Sequence, residues 1–259
     1  MELKPTVGVL MIVKNEEKHL AACLDTVKDW VDEIVIVDSG STDSTAEIAA
    51  RYTDKFYVHR EWPGFGKQRQ LAQSYMSSTW VLPLDADERV TDQLKKSILS
   101  AVKDNDASCC YKINRLSKAF GRYIKHSGWS PDWVLRFYPR AVMQYNEALV
   151  HEQVEVAEGC KVKKLKGDLL HFTFDNLSQY IKKTSLYISS WVAQREGVKK
   201  ATFTKAISHA FFRFIKMYFI KRGFLDGRHG LLLAILSANV VFTRYADLWL
   251  RDFVKKNSQ

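Results

Sequence analysis

Four short apolar runs, each followed by a turn, constrain this chain more than any other feature. "VGVLMIV" (residues 7–13) holds no charge, "EIVIV" (33–37) begins with its one acid, "KFYV" (55–58) is short, and "WVLPL" (80–84) is again uncharged. Segments with helical spacing lie between them. Within residues 16–27, Leu20, Cys23, Leu24 and Val27 share one face, and Thr42 or Asp43 can cap a helix reaching about residue 52. A third helix is expected over 67–76. Strands without polar alternation, separated by short helices, imply an α/β fold whose parallel sheet is covered on both faces. In such sheets ligands bind beyond the carboxyl ends of the strands. Those positions here are Lys14-Asn15-Glu16, the turn 38–43, and Asp85-Ala86-Asp87. One acid past one strand is commonplace, but three polar clusters converging on one edge make a site.

The residue types at that edge suggest a chemistry. Asp85 and Asp87 flank a single small residue, so in a turn one carboxylate can reach a divalent cation directly and the other directly or through water. Hard oxygen ligands of this kind suit Mg²⁺ or Mn²⁺, which also bind diphosphate oxygens. The same acids would also suit a helix starting at Asp87 or Thr91; the strand-end setting favours the metal. Asp38 can accept from a ribose hydroxyl or a base N–H, and the small residues after it let a ligand approach. Lys67 and Arg69, in "GFGKQRQLA", can answer a diphosphate or simply balance the acids. A dinucleotide-binding turn would need glycines where the chain has "VKNEE", and no GxxxxGK[ST] occurs, so nicotinamide and P-loop chemistry are excluded.

Beyond residue 107 short strands are expected at 108–114, 134–138, 161–165 and 169–172, and from 176 onward the pattern is helical. Four cysteines without CxxC spacing read as reduced, buried thiols, and the first residues show no secretory leader. Net charge is +10 but uneven: residues 1–100 hold 12 Lys/Arg against 16 Asp/Glu, whereas 199–259 hold 12 against 3. An anionic surface is therefore the expected partner. Within 203–222, Lys205, His209, Arg213 and Lys216 form one stripe, with Phe211, Phe212, Phe214, Ile215, Tyr218 and Phe219 around it. This describes a basic amphipathic helix. It suits shallow insertion into an anionic bilayer through residues 203–256, or packing on the catalytic domain or a second subunit; nucleic acid is not the expected partner. The uncharged run between His229 and Arg244 is 14 residues, short of the roughly 17–25 a spanning helix needs, so no conventional transmembrane segment is expected.

"MIVKNEE", "EIVIVDSGSTDST", "KQRQLA" and "WVLPLDADE", in this order and spacing, resemble a family 2 glycosyltransferase of the GT-A fold. "GWSPDWVLRFYPR" and "ALVHEQVEV" resemble the branch containing bacterial lipopolysaccharide inner-core heptose β-1,4-glucosyltransferases. The likeness covers about residues 5–175. It implies a GT-A domain over 1–175, Rossmann-like with a mainly parallel central sheet, and a basic helical extension over 176–259 that associates with membrane or oligomerises. It further implies an inverting transfer of a hexose, glucose from UDP-glucose, onto inner-core heptose, with Mg²⁺ or Mn²⁺ as cofactor. The acceptor would be a lipid-linked oligosaccharide, met at the cytoplasmic face of the bacterial inner membrane. By position, Asn15, Glu16, Asp38, Lys67, Arg69 and Asp85 would bind the nucleotide sugar, and Asp85 and Asp87 the metal. The catalytic base of many relatives lies in a Glu-Asp pair whose register here falls on His151-Glu152. Glu152 is the first choice and Asp132 the second, with Trp129 and Trp133 available to stack on sugar. His151 is either a further metal ligand or structural. The alternatives are the same fold with another donor sugar or acceptor, and a non-catalytic basic membrane-binding protein.

Overall fold

The computed structural model describes residues 4–148 and 152–257, which form two compact units. The first comprises Met1–Arg115 and Asp132–His171, the second Leu116–Pro131 and Phe172–Gln259.

In the first unit the apolar runs form the expected strands: β1 (Val7–Val13), β2 (Glu33–Asp38), β3 (Phe56–Val58) and β4 (Trp80–Pro83). The helices between them are α1 (Leu20–Leu24), α2 (Thr45–Ala49) and α3 (Phe65–Ser74). β5 (Glu88–Val90), α4 (Asp92–Asp104), β6 (Cys109–Ala119), β8 (Trp133–Pro139), β9 (Gln144–Tyr145), β10 (Val154–Glu155) and β11 (Lys161–Phe174) follow, with β7 (Arg122–Tyr123) in the second unit. The main sheet runs β3-β2-β1-β4-β8-β6-β11-β5. It is parallel across β3 to β4, while β4–β8, β8–β6 and β11–β5 are antiparallel. Side chains alternate across the sheet. Val9, Met11, Val13, Ile36 and Leu82 enter one buried cluster with α1 and α4, while Leu10, Val35, Val37 and Val81 enter another with Ala72 of α3. Two buried faces explain why these strands carry no polar alternation.

Of the helix expected over 16–27 only Leu20–Leu24 is regular α-helix; the flanks continue as turns, with His19 N and Leu20 N donating to Glu16 O and Thr26 N to Cys23 O. Thr26 Oγ1 bonds Cys23 O and accepts from Val90 N, and Glu17 N donates to Asp43. The two strands expected at 161–165 and 169–172 are one, β11. Gly167, between the two expected strands, has φ +93°, and a Cβ there would stand 2.4 Å from Leu94 N. It is a close approach to α4, not a turn.

The second unit contains α5 (Leu177–Ala193), α6 (Phe203–Ile215), a π-helical turn (Lys216–Ile220), a 3-10 turn (Gly223–Asp226) and α7 (Gly227–Asn257). Val192, Ala206, Val241, Tyr245 and Leu248 form one core cluster, and Phe174, Tyr180, Met217, Leu233 and Ala234 another. Residues 116–131, expected within the N-terminal domain, pack here: Phe120 N donates to Phe174 O, and Phe120 O bonds His229 Nε2 at 3.1 Å. Gly223–Lys255 is long and apolar enough to cross a membrane by length and composition alone, although the uncharged run within it is 14 residues. The helix continues through Arg244, whose guanidinium lies over Trp191 and Tyr245 at 4.8 and 5.7 Å, and one face of α7 forms part of the unit's core.

Candidate active site

β1 and β2 end in register, Val13 opposite Asp38, so the loops beyond them meet. Asn15 adopts φ +55°, which asparagine tolerates better than most residues. Its Oδ1 accepts from Thr42 N and its N–H donates to Ser41 Oγ, both at 2.8 Å. Glu16 N donates to Thr45 Oγ1 at 2.8 Å. Asp38 is buried and accepts from Gly40 N, Ser41 N and the Ser41 hydroxyl. Asn15, Glu16 and Asp38 are thus brought together, and much of their bonding builds the rim itself.

Past β4 the chain turns through Asp85-Ala86-Asp87-Glu88. Glu88 Oε2 accepts from Asp85 N at 3.0 Å, and Asp85 O accepts from Glu88 N at 2.9 Å. β8 lies antiparallel to β4, with Val81 opposite Tyr138, and brings Arg136 Nη2 within 2.7 Å of Asp85 Oδ2. From α3, Arg69 donates Nη2 to Asp85 Oδ1 at 2.6 Å and Nε to Glu152 Oε1 at 3.0 Å. Arg136 also lies 3.5 Å from Glu88 Oε1, and Arg115 is 3.9 Å from the same oxygen. Arg115 in turn holds Asp132 at 2.8 Å. These contacts make an alternating ionic chain, Glu152–Arg69–Asp85–Arg136–Glu88–Arg115–Asp132. The two candidate bases are its ends.

Burial shapes the charges along this chain. It opposes ionisation of Asp85, but Arg136 and Arg69 hold that carboxyl far below the usual carboxylate range. Glu88 has no exposed surface, and burial pushes its carboxyl up despite the attraction of Arg136. Burial would discharge Arg69 and Arg136, yet Asp85 keeps both guanidiniums more firmly protonated than usual. Arg69 also lies over the Tyr145 ring at 5.1 Å, which suits a weakly hydrated guanidinium.

Both Asp85 oxygens engage cations in this structure, Oδ1 that of Arg69 and Oδ2 that of Arg136. Asp87 is paired differently. Its carboxylate is partly exposed, with Oδ2 3.3 Å from His171 Nε2. Pairing of β11 with β5, His171 opposite Glu88, sets that distance. A carboxylate and an imidazole are a fitting pair of ligands for a cation that takes its remaining oxygens from a diphosphate. Among the described residues no group of three His, Cys, Asp or Glu side chains is assembled; Asp87 and His171 are the pair that they offer here.

Other expected residues sit elsewhere. Lys67 is exposed and pairs with Glu147 at 3.3 Å. Trp133 faces Lys164 Nζ, 4.5 Å from its ring. Trp129 belongs to the second unit, where it meets Phe174 edge-on at 6.4 Å. His151 lies outside the described residues. Sequence reasoning missed Arg115, Arg136, Glu88 and His171. The signal for Arg136 was present: an arginine between Leu135 and Phe137 in an apolar strand requires a buried acid. For His171 only strand register supplies it.

The chain is similar to known proteins. The family model described as Glycosyl transferase family 2 matches residues 8–165. An uncharacterised glycosyltransferase of Rickettsia typhi is 28% identical over 93% of this chain and 86% of its own. The lipopolysaccharide core biosynthesis glycosyltransferase LpsC of Rhizobium meliloti is 29% identical over 94% of each. Among solved structures, S. aureus TarS 1–349 gives a TM-score of 0.46 at 14% identity, covering 98% of this chain and 92% of that one. This chain spans only 54% of the longer TarS chain. The family match takes in every strand that carries the strand-end carboxylates and well over half of the sequence, and the chain accordingly belongs to glycosyltransferase family 2, with its α/β GT-A fold.

Proposed function

We propose that this protein is a metal-dependent, inverting hexosyltransferase that moves glucose from UDP-glucose onto the inner-core heptose of lipopolysaccharide. The observation that carries the reading is the bond between Arg69 and Glu152, which ties a candidate base to the Asp85–Glu88 turn. Similarity to LpsC supports the choice of acceptor. The substrate would be a lipid-linked oligosaccharide met at the cytoplasmic face of the inner membrane, with residues 203–256 against the anionic lipid.

In this mechanism the rim of Asn15, Glu16 and Asp38 receives the uridine. Asp87 and His171 would hold the cation, which when bound would neutralise charge on the departing diphosphate. The acceptor hydroxyl attacks the anomeric carbon opposite the diphosphate, the bond to UDP breaks, and configuration inverts. Glu152 takes the hydroxyl proton. Its Oε1 is oriented by Arg69, and Oε2 is the oxygen assigned to the proton. Asp132, fixed on Arg115 at the far end of the ionic chain, is the second choice.

The test is transfer from UDP-glucose, UDP-galactose and UDP-N-acetylglucosamine to core lipopolysaccharide truncated at the inner-core heptose. A β-linked glucoside formed from the α-linked donor is expected; retained configuration would reject the displacement. Glu152→Gln should lower kcat by about 10²–10⁴ with donor affinity unchanged. Normal turnover in that variant would move the role to Asp132.

A further inference from the structure

The second unit carries a tip that the transfer reaction does not use. It runs from the π-helical turn Lys216–Ile220 through Arg222, at φ +52°, into the 3-10 turn Gly223–Asp226. Four apolar side chains stand out from it: Phe219 53% exposed, Ile220 68%, Phe224 46% and Leu225 50%. Exposed cations surround them. Lys221 and Arg222 lie in the tip itself and Arg228 in the first turn of α7 beside it. Arg122 is placed by Gly227, where a Cβ would stand 3.8 Å from its Nη1. Lys221 lies against Gly128, its Cγ 3.4 Å from the Cβ position there. Lys125, also exposed, bonds the tip through its backbone.

One residue organises all of this. Asp226 is 3% exposed and accepts from Lys125 N, His126 N, Ser127 Oγ and His126 Nδ1 at 3.0–3.2 Å. Ser127 N closes the loop on Lys221 O at 2.9 Å. Gly223 and Gly230 allow the tight base: a Cβ on Gly230 would lie 1.8 Å from Gly223 O. Asp226 is also the only acid in residues 116–131 and 197–246, stretches that hold 12 Lys/Arg. The sole negative charge is therefore turned inward to fix the tip, and every charge that the tip presents to solvent is positive.

We infer that this tip is a membrane wedge, inserting Phe219, Ile220, Phe224 and Leu225 into an anionic lipid surface while Arg122, Lys125, Lys221, Arg222 and Arg228 meet the headgroups. Apolar side chains ringed by cations match the two attractions an anionic bilayer offers, burial below the headgroups and surface potential. A rigid base spares the wedge the ordering cost that a loose loop would carry on insertion. The inference deepens the lipid-linked-acceptor reading by naming the contact, and it is tested apart from that reading.

The full chain is sedimented with vesicles of phosphatidylglycerol and phosphatidylethanolamine, with neutral phosphatidylcholine vesicles, and with duplex DNA, in 50 mM and 0.5 M salt. Binding to the anionic vesicles alone, weakened by salt, is expected. Phe224→Ser with Leu225→Ser should reduce vesicle partitioning about tenfold or more with the melting temperature unchanged. Lys221→Glu with Arg222→Glu should reduce it at least about 25-fold, each cation near an anionic surface being worth about fivefold. Release of UDP from UDP-glucose and transfer to a water-soluble heptose fragment should persist in both variants. If those reactions fail in the wild-type chain while vesicles still bind, the function falls and the wedge stands. Vesicle binding insensitive to both variants, equal binding to neutral vesicles, preferential binding to DNA, or a dimer broken by the Phe224/Leu225 change would each overturn the wedge.

Discussion

At Asp85 both carboxylate oxygens meet guanidiniums, whereas two residues later Asp87 meets an imidazole. The two acids of Asp-x-Asp are therefore paired differently: Asp85 with Arg69 and Arg136, Asp87 with His171. Two measurements check the division. Arg136→Met leaves Asp85 and Glu88 short of a buried cation, which should cost about 3–5 kcal/mol in urea denaturation; a loss below about 1 kcal/mol would mean Arg69 and Arg115 suffice. His171→Ala should weaken Mn²⁺ binding in the presence of UDP by about tenfold or more, read by electron paramagnetic resonance of the free ion. Unchanged Mn²⁺ affinity would remove His171 from the ligand set.

At the scale of elements, α3 links the Asp85–Glu88 turn to Glu152. It carries Arg69, and its first turn docks on the segment leading to Glu152 through Gly66 N, which donates to Ala148 O at 3.0 Å. A Cβ on Gly66 would stand 1.9 Å from Asn146 O, a backbone atom that cannot swing away. Gly66→Ala should thus cost about 1–3 kcal/mol and lower kcat by separating Arg69 from Glu152. Thr91→Ala is the comparison: it removes the α4 cap at Leu94 N, should cost about 1 kcal/mol, and should leave kcat unaltered. Equal kcat losses in both variants would show that general destabilisation, not the α3 contact, is responsible.

Across the whole molecule, one contribution to acid stability is expected from a carboxylate at the start of β2. Burial opposes ionisation of Glu33, but Lys55 and the N–H groups of Ser78 and Ser77 bring it down to about 2 from an ordinary 4.5. Its stabilising contribution is therefore complete above about pH 4.5 and disappears as pH falls toward 2. By linkage that contribution is on the order of 2–3 kcal/mol. Melting temperatures recorded from pH 7 to pH 2 should fall steeply over that window. Glu33→Gln should be less stable at pH 7 and show a shallower acid limb; an identical limb would place the acid sensitivity elsewhere.

The sequence by itself determined the strands, their parallel start and the edge where ligands belong. Uncharged runs such as residues 7–13 can only be buried on both faces, and polar residues after them can only lie at strand ends. It also brought out the family, Glu152 and Asp132 as carboxylates of interest, and the basic tail. Tertiary structure alone decided which acids are balanced. Arg136, Arg115 and His171 reach the Asp85–Glu88 turn through the antiparallel pairings β4–β8, β8–β6 and β5–β11, which join residues between 19 and 83 positions apart. Local spacing holds no record of such partners. The same holds for Asp226: in the sequence it is one acid in a basic tail, and only folding turns it inward against residues a hundred positions earlier.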